Sequence, residues 1–299
     1  MPNVAFEGAF TAVVTPFRRE DLAIDWGAYE KLVATQIEGK IRGIVPCGTT
    51  GESPTLDSQE QLELVKKTVA LVKGKAIVLA GTGTNATKST IVASQAAERA
   101  GADAIMVVVP YYNKPTQEGL CEHFVAVAAS VGCPVVVYNI PGRTGIDLAT
   151  DTLAKICERA KNVVAVKEAT GNVLRAQEIL RVLGDRVAVL SGDDTLTVPM
   201  MAVGAKGVIS VTSNVYPAEV ARVTSLALEG KLAEAGRKHL ALGRVHEVMF
   251  VESNPAPAKA ALAHKGIMED VVRGPLVRIS ESARAKVIAA MNAYESERA

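Results

Sequence analysis

The sequence has almost no net charge, since 33 lysines and arginines stand against 32 aspartates and glutamates in 299 residues. Proteins that bind nucleic acid or anionic membrane surfaces usually show a basic excess. The sequence also lacks an apolar run of the roughly 18 residues that a membrane-spanning helix needs. Its first residues lack the basic and then apolar pattern of a secretion signal. We therefore expect a cytoplasmic protein that acts on small molecules and binds neither nucleic acid nor membranes.

Cysteine and histidine are scarce, and neither is arranged as in a metal site. The four cysteines include no C-x-x-C pair, and the four histidines form no H-E-x-x-H motif. Such spacings are the usual signals of zinc sites, and regular cysteine spacings indicate disulfide frameworks. The sequence predicts buried or free thiols, histidines with packing or surface roles, and no metal.

What the chain does contain is a series of eight short apolar runs, rich in β-branched residues and separated by helical segments. The runs cover residues 8–17, 43–48, 76–83, 104–110, 134–141, 163–168, 187–193 and 207–214. Their continuous apolar character is typical of parallel strands that are covered on both faces. Eight such units predict an α/β fold, the (β/α)8 TIM barrel. A doubly wound open sheet is the alternative, but no G-x-G-x-x-G motif follows the first run.

The last part of the sequence, from Tyr216 onward, shows helical patterns and no strand signals. We therefore predict a C-terminal helical extension of the barrel. The predicted division is a catalytic barrel domain over residues 1–224 and a helical domain over residues 225–299.

Lys167 ends the sixth run, VVAVKE. TIM-barrel active sites form at this carboxyl end of the strands, whereas Lys75 and Lys206 precede strands at the opposite end. A buried charged amine without a partner is costly, and the adjacent Glu168 should point to the other face of the strand. Lys167 is therefore a candidate nucleophile of the Schiff-base type. A structural salt bridge is the alternative.

Other polar residues are expected at the same end of the barrel. Tyr138 lies in the fifth run, where we expect its strand to end, so its phenol should lie near Lys167 and could transfer protons. The segment GTTGE offers Thr49, Thr50 and a glycine-flanked turn whose amides could bind a carboxylate. Arg143, in the loop after the fifth run, could bind a second carboxylate. A packing role for the tyrosine, a plain turn and a solvated arginine are the alternatives.

Five segments together carry a family resemblance: GTTGE, PYYNKPTQEG, YNIPGRTG, VKEATGN and SGDD. The chain resembles the pyruvate-dependent class I aldolase family, and within it the dihydrodipicolinate synthase branch. The resemblance implies a lyase-class enzyme that condenses pyruvate with L-aspartate 4-semialdehyde through a lysine Schiff base. The product would be 4-hydroxy-tetrahydrodipicolinate, for diaminopimelate and lysine biosynthesis. No cofactor is implied, because the imine itself withdraws electrons.

The resemblance also implies roles for individual residues. Lys167 would form the pyruvate imine, and Tyr138, Thr49 and Tyr112 would form a proton relay. Tyr112 would come from a neighbouring subunit, across the tight interface of a homotetramer built as a dimer of dimers. Thr50 would bind the pyruvate carboxylate, and Arg143 would bind the semialdehyde carboxylate. Gly192 would leave room at the end of the seventh strand, and the backbone around Ile209 would line the pyruvate pocket.

Sister pyruvate aldolases, such as N-acetylneuraminate lyase and sugar-acid aldolases, are the main alternative because they share the lysine and the tyrosine. The double threonine and the arginine favour the synthase, since a small carboxylate-bearing aldehyde needs a cation and a polyol needs hydroxyl partners. Two further alternatives are a pyridoxal-phosphate enzyme with its cofactor on Lys167 and a non-catalytic metabolite-binding barrel.

One departure from the family concerns its effector site at the subunit interface. Lysine-inhibited bacterial members use histidines and an acid there, whereas this chain has Ser58, Gln61 and Ser89. Asn85 and Tyr111 fit the family pattern. We therefore expect feedback inhibition by lysine to be weak or absent.

Overall fold

The computed structural model describes residues 4–297. Its eight parallel strands close into a barrel in chain order, with the last strand paired to the first. The strands are β1 (Gly8–Ala12), β2 (Gly43–Val45), β3 (Ile77–Gly81), β4 (Ala104–Val108), β5 (Val135–Asn139), β6 (Val163–Glu168), β7 (Ala188–Ser191) and β8 (Gly207–Ser210). Each of the eight apolar runs contains one strand, so the TIM-barrel prediction is confirmed.

Helices surround the barrel and extend beyond it. Around the strands lie α1 (Trp26–Glu38), α2 (Ser58–Val72), α3 (Thr87–Arg99), α4 (Gln117–Ala129), α5 (Pro141–Thr144), α6 (Thr150–Arg159), α7 (Val173–Leu183) and α8 (Thr197–Ala202). The following helices are α9 (Pro217–Leu228), α10 (Leu232–Ala241), α11 (Gly243–Val248), α12 (Ala256–His264) and α13 (Glu281–Ser296). No helix within residues 4–297 is long and apolar enough to cross a membrane.

Local sequence explains why these helices begin where they do. Helix α2 starts at a capping box, in which Asp57 accepts the Glu60 amide and Glu60 accepts the Asp57 amide. Its buried face carries Leu64, Val65 and Val72. Burial of this apolar face against the strands stabilises the helix more than its propensity does.

The apolar core has two layers, and β6 shows how they are divided. Ala165 belongs to the cluster inside the barrel, whereas Val166 belongs to the cluster between strands and helices. Successive strand residues point to opposite faces, so Lys167 follows Ala165 inward and Glu168 follows Val166 outward. The alternation of strand β6 therefore brings one amine into the mouth of the barrel.

The C-terminal helices pack closely on the barrel. Val245 of α11, Ala260 of α12 and Val287 of α13 lie in the same buried cluster as the outer faces of the strands. The boundary predicted after residue 224 falls inside α9. The helical extension is thus present, while its status as a separate domain stays a prediction.

Gly207 is a site where the closure of the barrel requires the absence of a side chain. It pairs with Gly8 across β8 and β1, and a Cβ at Gly207 would overlap the carbonyl oxygen of Gly8. We predict that Gly207→Ala lowers the free energy of unfolding by about 3 kcal/mol, as overpacking does when strands must separate. Urea unfolding followed by circular dichroism, at fixed protein concentration, measures the change.

Gly236→Ala is the matched control, because a Cβ at this position in α10 meets nothing within 4 Å. It should be neutral or stabilise by up to about 1 kcal/mol, since alanine is the better helix former. Equal effects of the two substitutions would contradict the packing argument.

Candidate active site

Lys167 and Tyr138 form the centre of the candidate site. Their Cα atoms are partners across β6 and β5, and Nζ of Lys167 lies 4.1 Å from the centroid of the Tyr138 ring. Both side chains are buried, with 5% and 4% of their surface exposed. The structure therefore holds an amine and a phenol side by side at the carboxyl ends of two adjacent strands, as the sequence predicts.

Glu168 is bound to other groups and forms no ion pair with this amine. Its carboxylate accepts hydrogen bonds from Nδ2 of Asn139 at 3.2 Å and from the backbone N–H of Thr170 at 2.7 Å. Burial raises the pKa of this carboxyl. Asn139 also donates to Asp147, which pairs with Arg175 at 2.5 Å. Glu168 thus ties the ends of β5 and β6 together on the outer face, and the salt-bridge alternative for Lys167 is wrong.

Thr49 and Thr50 lie in a tight loop that follows β2. A Cβ at Gly81 would overlap the carbonyl group of Cys47, so a glycine there lets the loop pass over the end of β3. The backbone N–H groups of Thr49 and Thr50 donate no hydrogen bond to any part of residues 4–297. Two consecutive free amides are the donor set of an anion-binding nest. We refer to residues 48–52 as the threonine loop.

Two adjoining cavities open at this end of the barrel. The larger, of about 390 Å³, extends from Thr49 past Tyr111 and Ile140 to Arg143. The smaller, of about 30 Å³, extends from Thr49 to Tyr138. Among the lining residues that the structure describes, Arg143 is the one that carries a charge. The space therefore leads from a cation at the rim to the buried phenol beside Lys167.

Gly192, directly after β7, lies beside the Lys167 side chain, and Ile209 of β8 belongs to the interior of the barrel. A Cβ at Gly192 would lie 2.5 Å from Cβ of Ala169 and 3.1 Å from Cε of Lys167. Ile209 is fully buried in the interior cluster that also contains Tyr138. Gly192 therefore leaves the space in which the lysine side chain lies.

Tyr112 is the predicted site residue that the chain does not bring to the others. Its side chain is 87% exposed, and it lines neither cavity. Its backbone N–H donates to the carbonyl of Thr144 at 3.4 Å, with φ at 71°. The ring thus stands away from Lys167 of its own chain.

Within residues 4–297, the amides of Val211 to Ser213 after β8 already have acceptors, so none of them is left for a cofactor phosphate. The buried carboxylate of Asp194, in the SGDD segment, accepts the N–H groups of Val211 and Thr212 at 2.8 and 3.0 Å. It also accepts the hydroxyl of Ser210 at 2.5 Å. Negative charge already occupies the place where a pyridoxal-phosphate enzyme would need a phosphate cradle, so these residues do not fit that alternative.

A comparison with protein families decides the relationship. The model of the dihydrodipicolinate synthetase family matches residues 5–294. The chain belongs to this family. The resemblance carried by the five segments is therefore confirmed at the family level.

Individual members of the family resemble the chain over its full length. The 4-hydroxy-tetrahydrodipicolinate synthase of Sorangium cellulosum (strain So ce56) is 53% identical over 298 residues, which cover 100% of this chain and 99% of the relative. The solved structure of 4-hydroxy-tetrahydrodipicolinate synthase from Methylacidiphilum fumariolicum SolV is 42% identical, with a TM-score of 0.96 and coverage of 98% and 97%. The chloride-inhibited dihydrodipicolinate synthase from Acinetobacter baumannii, complexed with pyruvate, is 38% identical, with a TM-score of 0.95 and coverage of 97% and 99%.

Sequence reasoning missed a buried ion pair between the last residue of the threonine loop and α12. Glu52, with φ at 56°, pairs with Lys259 of α12, and both side chains have no exposed surface. Burial lowers the pKa of Lys259 to about 8, although the Glu52 carboxylate opposes this shift. A lysine inside the apolar stretch PAPAKAALA was the available signal, of the same kind that identified Lys167.

Proposed function

We propose that this chain condenses pyruvate with L-aspartate 4-semialdehyde to 4-hydroxy-tetrahydrodipicolinate, in diaminopimelate and lysine biosynthesis. The observation that carries the proposal is the Lys167–Tyr138 pair at the mouth of the barrel, with Nζ 4.1 Å from the ring centroid. The relatives named as this synthase support the choice of reaction, and the pyruvate complex of one of them supports the first substrate. The site would act in the cytoplasm without a metal or organic cofactor.

The first step would be imine formation on Lys167. Nζ attacks the ketone carbon of pyruvate, and the resulting carbinolamine loses water to form the protonated imine. The phenol of Tyr138 is placed to deliver the proton that the departing hydroxyl needs. Thr49, which lines both cavities, would connect this phenol to Tyr112 in the relay.

The second step would be formation of the carbon–carbon bond. The protonated imine withdraws electrons, so the pyruvate methyl loses a proton and becomes an enamine. The enamine carbon attacks the aldehyde carbon of the semialdehyde, whose oxygen takes a proton. The amino group of that substrate then attacks the imine carbon and releases the Lys167 amine as the ring closes.

Two carboxylates would be bound by two different parts of the site. The free amides of Thr49 and Thr50, with the Thr50 hydroxyl, would bind the pyruvate carboxylate, beside the backbone of Ile209. Arg143 at the rim would bind the carboxylate of the semialdehyde, for which a planar guanidinium is well suited. Gly192 would leave room for the adduct on Lys167.

Tyr112 would complete the relay of a neighbouring subunit. Its 87% exposure on its own chain suits a residue that becomes buried only in an assembly. The assembly would be a homotetramer, built as a dimer of dimers, with Tyr112 crossing the tight dimer interface.

Lysine would bind weakly as an inhibitor. Ser58, Gln61 and Ser89 line one surface cavity with apolar neighbours such as Leu62 and Val92. The amide of Gln61 already donates to the carbonyls of Ser53 and Leu56, at 3.1 and 3.2 Å. No carboxylate in this set is available for the ammonium groups of lysine.

Borohydride trapping tests the proposed function directly. In the presence of pyruvate, sodium borohydride should reduce the imine and leave a pyruvyl adduct on Lys167, located by peptide mass analysis. Lys167→Arg should abolish the adduct and lower kcat at least about a thousandfold, because the nucleophile is lost.

Lys206→Arg, at the amino end of β8, is the matched control and should keep both the adduct and the activity. An unmodified Lys167 in the native chain would overturn the mechanism. Activity with the semialdehyde, but not with N-acetylmannosamine, then separates the synthase from the sister lyase.

Subunit mixing tests the position of Tyr112. Tyr112→Phe and Lys167→Arg should each be nearly inactive, yet heterodimers should regain one native site, which is about a quarter of all sites after random exchange. Mixing Tyr138→Phe with Lys167→Arg is the control, because both residues belong to the same chain's site. Recovery in neither mixture, with exchange verified by native mass spectrometry, would contradict the role of Tyr112 across the interface.

A lysine titration of the initial rate tests the effector site. The native chain should keep its activity at sub-millimolar lysine, and strong inhibition there would refute the hypothesis. The triple variant Ser58→His, Gln61→His, Ser89→Glu should gain sensitivity, because it restores charged partners for the effector.

A further inference from the structure

Asn254, which lies just before α12, is one of the C-terminal residues that contact the threonine loop. Its Nδ2 donates a hydrogen bond to Oγ1 of Thr50 at 3.0 Å, although the two residues are 204 positions apart. Asn254 is 5% exposed and Thr50 is 3% exposed. This bond therefore lies in a region from which water is largely excluded. In such a region it matters strongly which of the two groups donates the hydrogen.

The hydrogen bond determines what the Thr50 hydroxyl offers to the site. A hydroxyl has one hydrogen to donate and can accept from other donors. Thr50 accepts from Asn254, and within residues 4–297 its own hydrogen has no acceptor. The hydroxyl is therefore left as a donor, next to the free backbone amides of Thr49 and Thr50. All three groups are then donors, which suits an anion.

The same C-terminal segment also fixes the loop backbone. Lys259 pairs with Glu52, and the Arg273 backbone N–H donates to Oε2 of Glu52 at 3.0 Å. Lys259 further donates to the carbonyl of Val271 at 2.7 Å. The ion pair holds the loop in place, so Asn254 acts on a hydroxyl whose position is already fixed.

Asn254 carries a cost that packing alone does not explain. Its Oδ1 is buried and has no hydrogen-bond partner within the described residues. An unpaired buried oxygen lowers stability. An apolar residue of similar size would avoid this cost, but it could not make the hydrogen bond to Thr50.

We propose that Asn254 is a positioning residue for the pyruvate carboxylate, which it serves by keeping the Thr50 hydroxyl a donor. This inference rests on the proposed function, and it gives the C-terminal helical part a role in substrate binding. Asn254 acts through Thr50 and does not itself contact the reacting atoms.

Steady-state kinetics of Asn254→Ala and Asn254→Asp test the proposal. Asn254→Ala should raise the KM for pyruvate about tenfold, because the freed hydroxyl loses its fixed direction, with a smaller change in the KM for the semialdehyde. Asn254→Asp should raise it about a hundredfold, because a carboxylate accepts the Thr50 hydrogen and repels the substrate anion. Unchanged pyruvate KM values in both folded variants would overturn the proposal.

A double-mutant cycle shows whether Asn254 acts through Thr50. Thr50→Val removes the hydroxyl, so adding Asn254→Ala to it should raise the pyruvate KM no further. Fully additive effects would mean that Asn254 acts by another route and would overturn the proposal. Asn254→Asp is nearly isosteric, so it decides the question if the alanine variant fails to fold.

A ketone without a carboxylate separates positioning from general damage. Borohydride trapping with acetone should proceed equally in the native chain and in Asn254→Ala, whereas trapping with pyruvate should need about tenfold more substrate in the variant. Asn162→Ala is the control: this asparagine, just before β6, is also buried and donates to three backbone carbonyls in the last turn of α4 and the loop before β5. It should change stability but not the preference for pyruvate over acetone.

The outcomes distinguish the two proposals. No pyruvate adduct in the native chain would remove the proposed function and this inference with it. An adduct in the native chain, with the same loss of trapping for acetone and pyruvate in Asn254→Ala, would overturn the positioning role alone.

Discussion

The structure depends most on one constraint, the closure of eight parallel strands in register. Closure makes β5 and β6 neighbours, and their register sets Tyr138 opposite Lys167. The pleat of the strand then turns Lys167 inward, because Ala165, two residues earlier, faces the interior. A shift of one residue in β6 would send Glu168 into the barrel and the amine out to the helices. Fold and candidate chemistry thus rest on the same backbone geometry.

Two buried lysines, Lys167 and Lys259, differ in the polar groups that surround them. Lys259 is paired with a buried carboxylate and donates to a backbone carbonyl, so its hydrogen-bonding capacity is used by the protein itself. Nζ of Lys167 lies over the ring of Tyr138. The carboxylate of the adjacent Glu168 points to the opposite face of the strand, where it accepts a hydrogen bond from Asn139. A buried lysine with full partners stabilises a loop, while one without them is available to a substrate. The two side chains therefore differ in their partners and not in their burial.

The prediction from sequence succeeded where signals are local. Continuous apolar runs marked all eight strands, and Lys167 at the end of one run lies beside Tyr138 as expected. The alternation of side chains along a strand was enough to predict that Lys167 and Glu168 point to opposite faces. These features depend on a few consecutive residues and on the repeat of one supersecondary unit.

The parts that escaped prediction depend on distant contacts. Asn254 meets Thr50 across 204 positions, and no pattern within either segment indicates the other. The sequence likewise does not indicate that Glu52 is the partner of Lys259, although a lysine within an alanine-rich helix is itself unusual. The Tyr112 side chain is 87% exposed and lies apart from the other candidate residues of its own chain. Its position could be expected from the family resemblance but not from local chemistry.

In the proposed mechanism, the Lys167 amine activates the methyl group of pyruvate at the mouth of the barrel. Deuterium exchange into pyruvate, followed by proton NMR in D₂O without the aldehyde substrate, measures this activation directly. With the native chain, the methyl signal should disappear at a rate far above that in buffer. Lys167→Arg should give no acceleration. Equal exchange with the native chain and the variant would rule out activation by this amine.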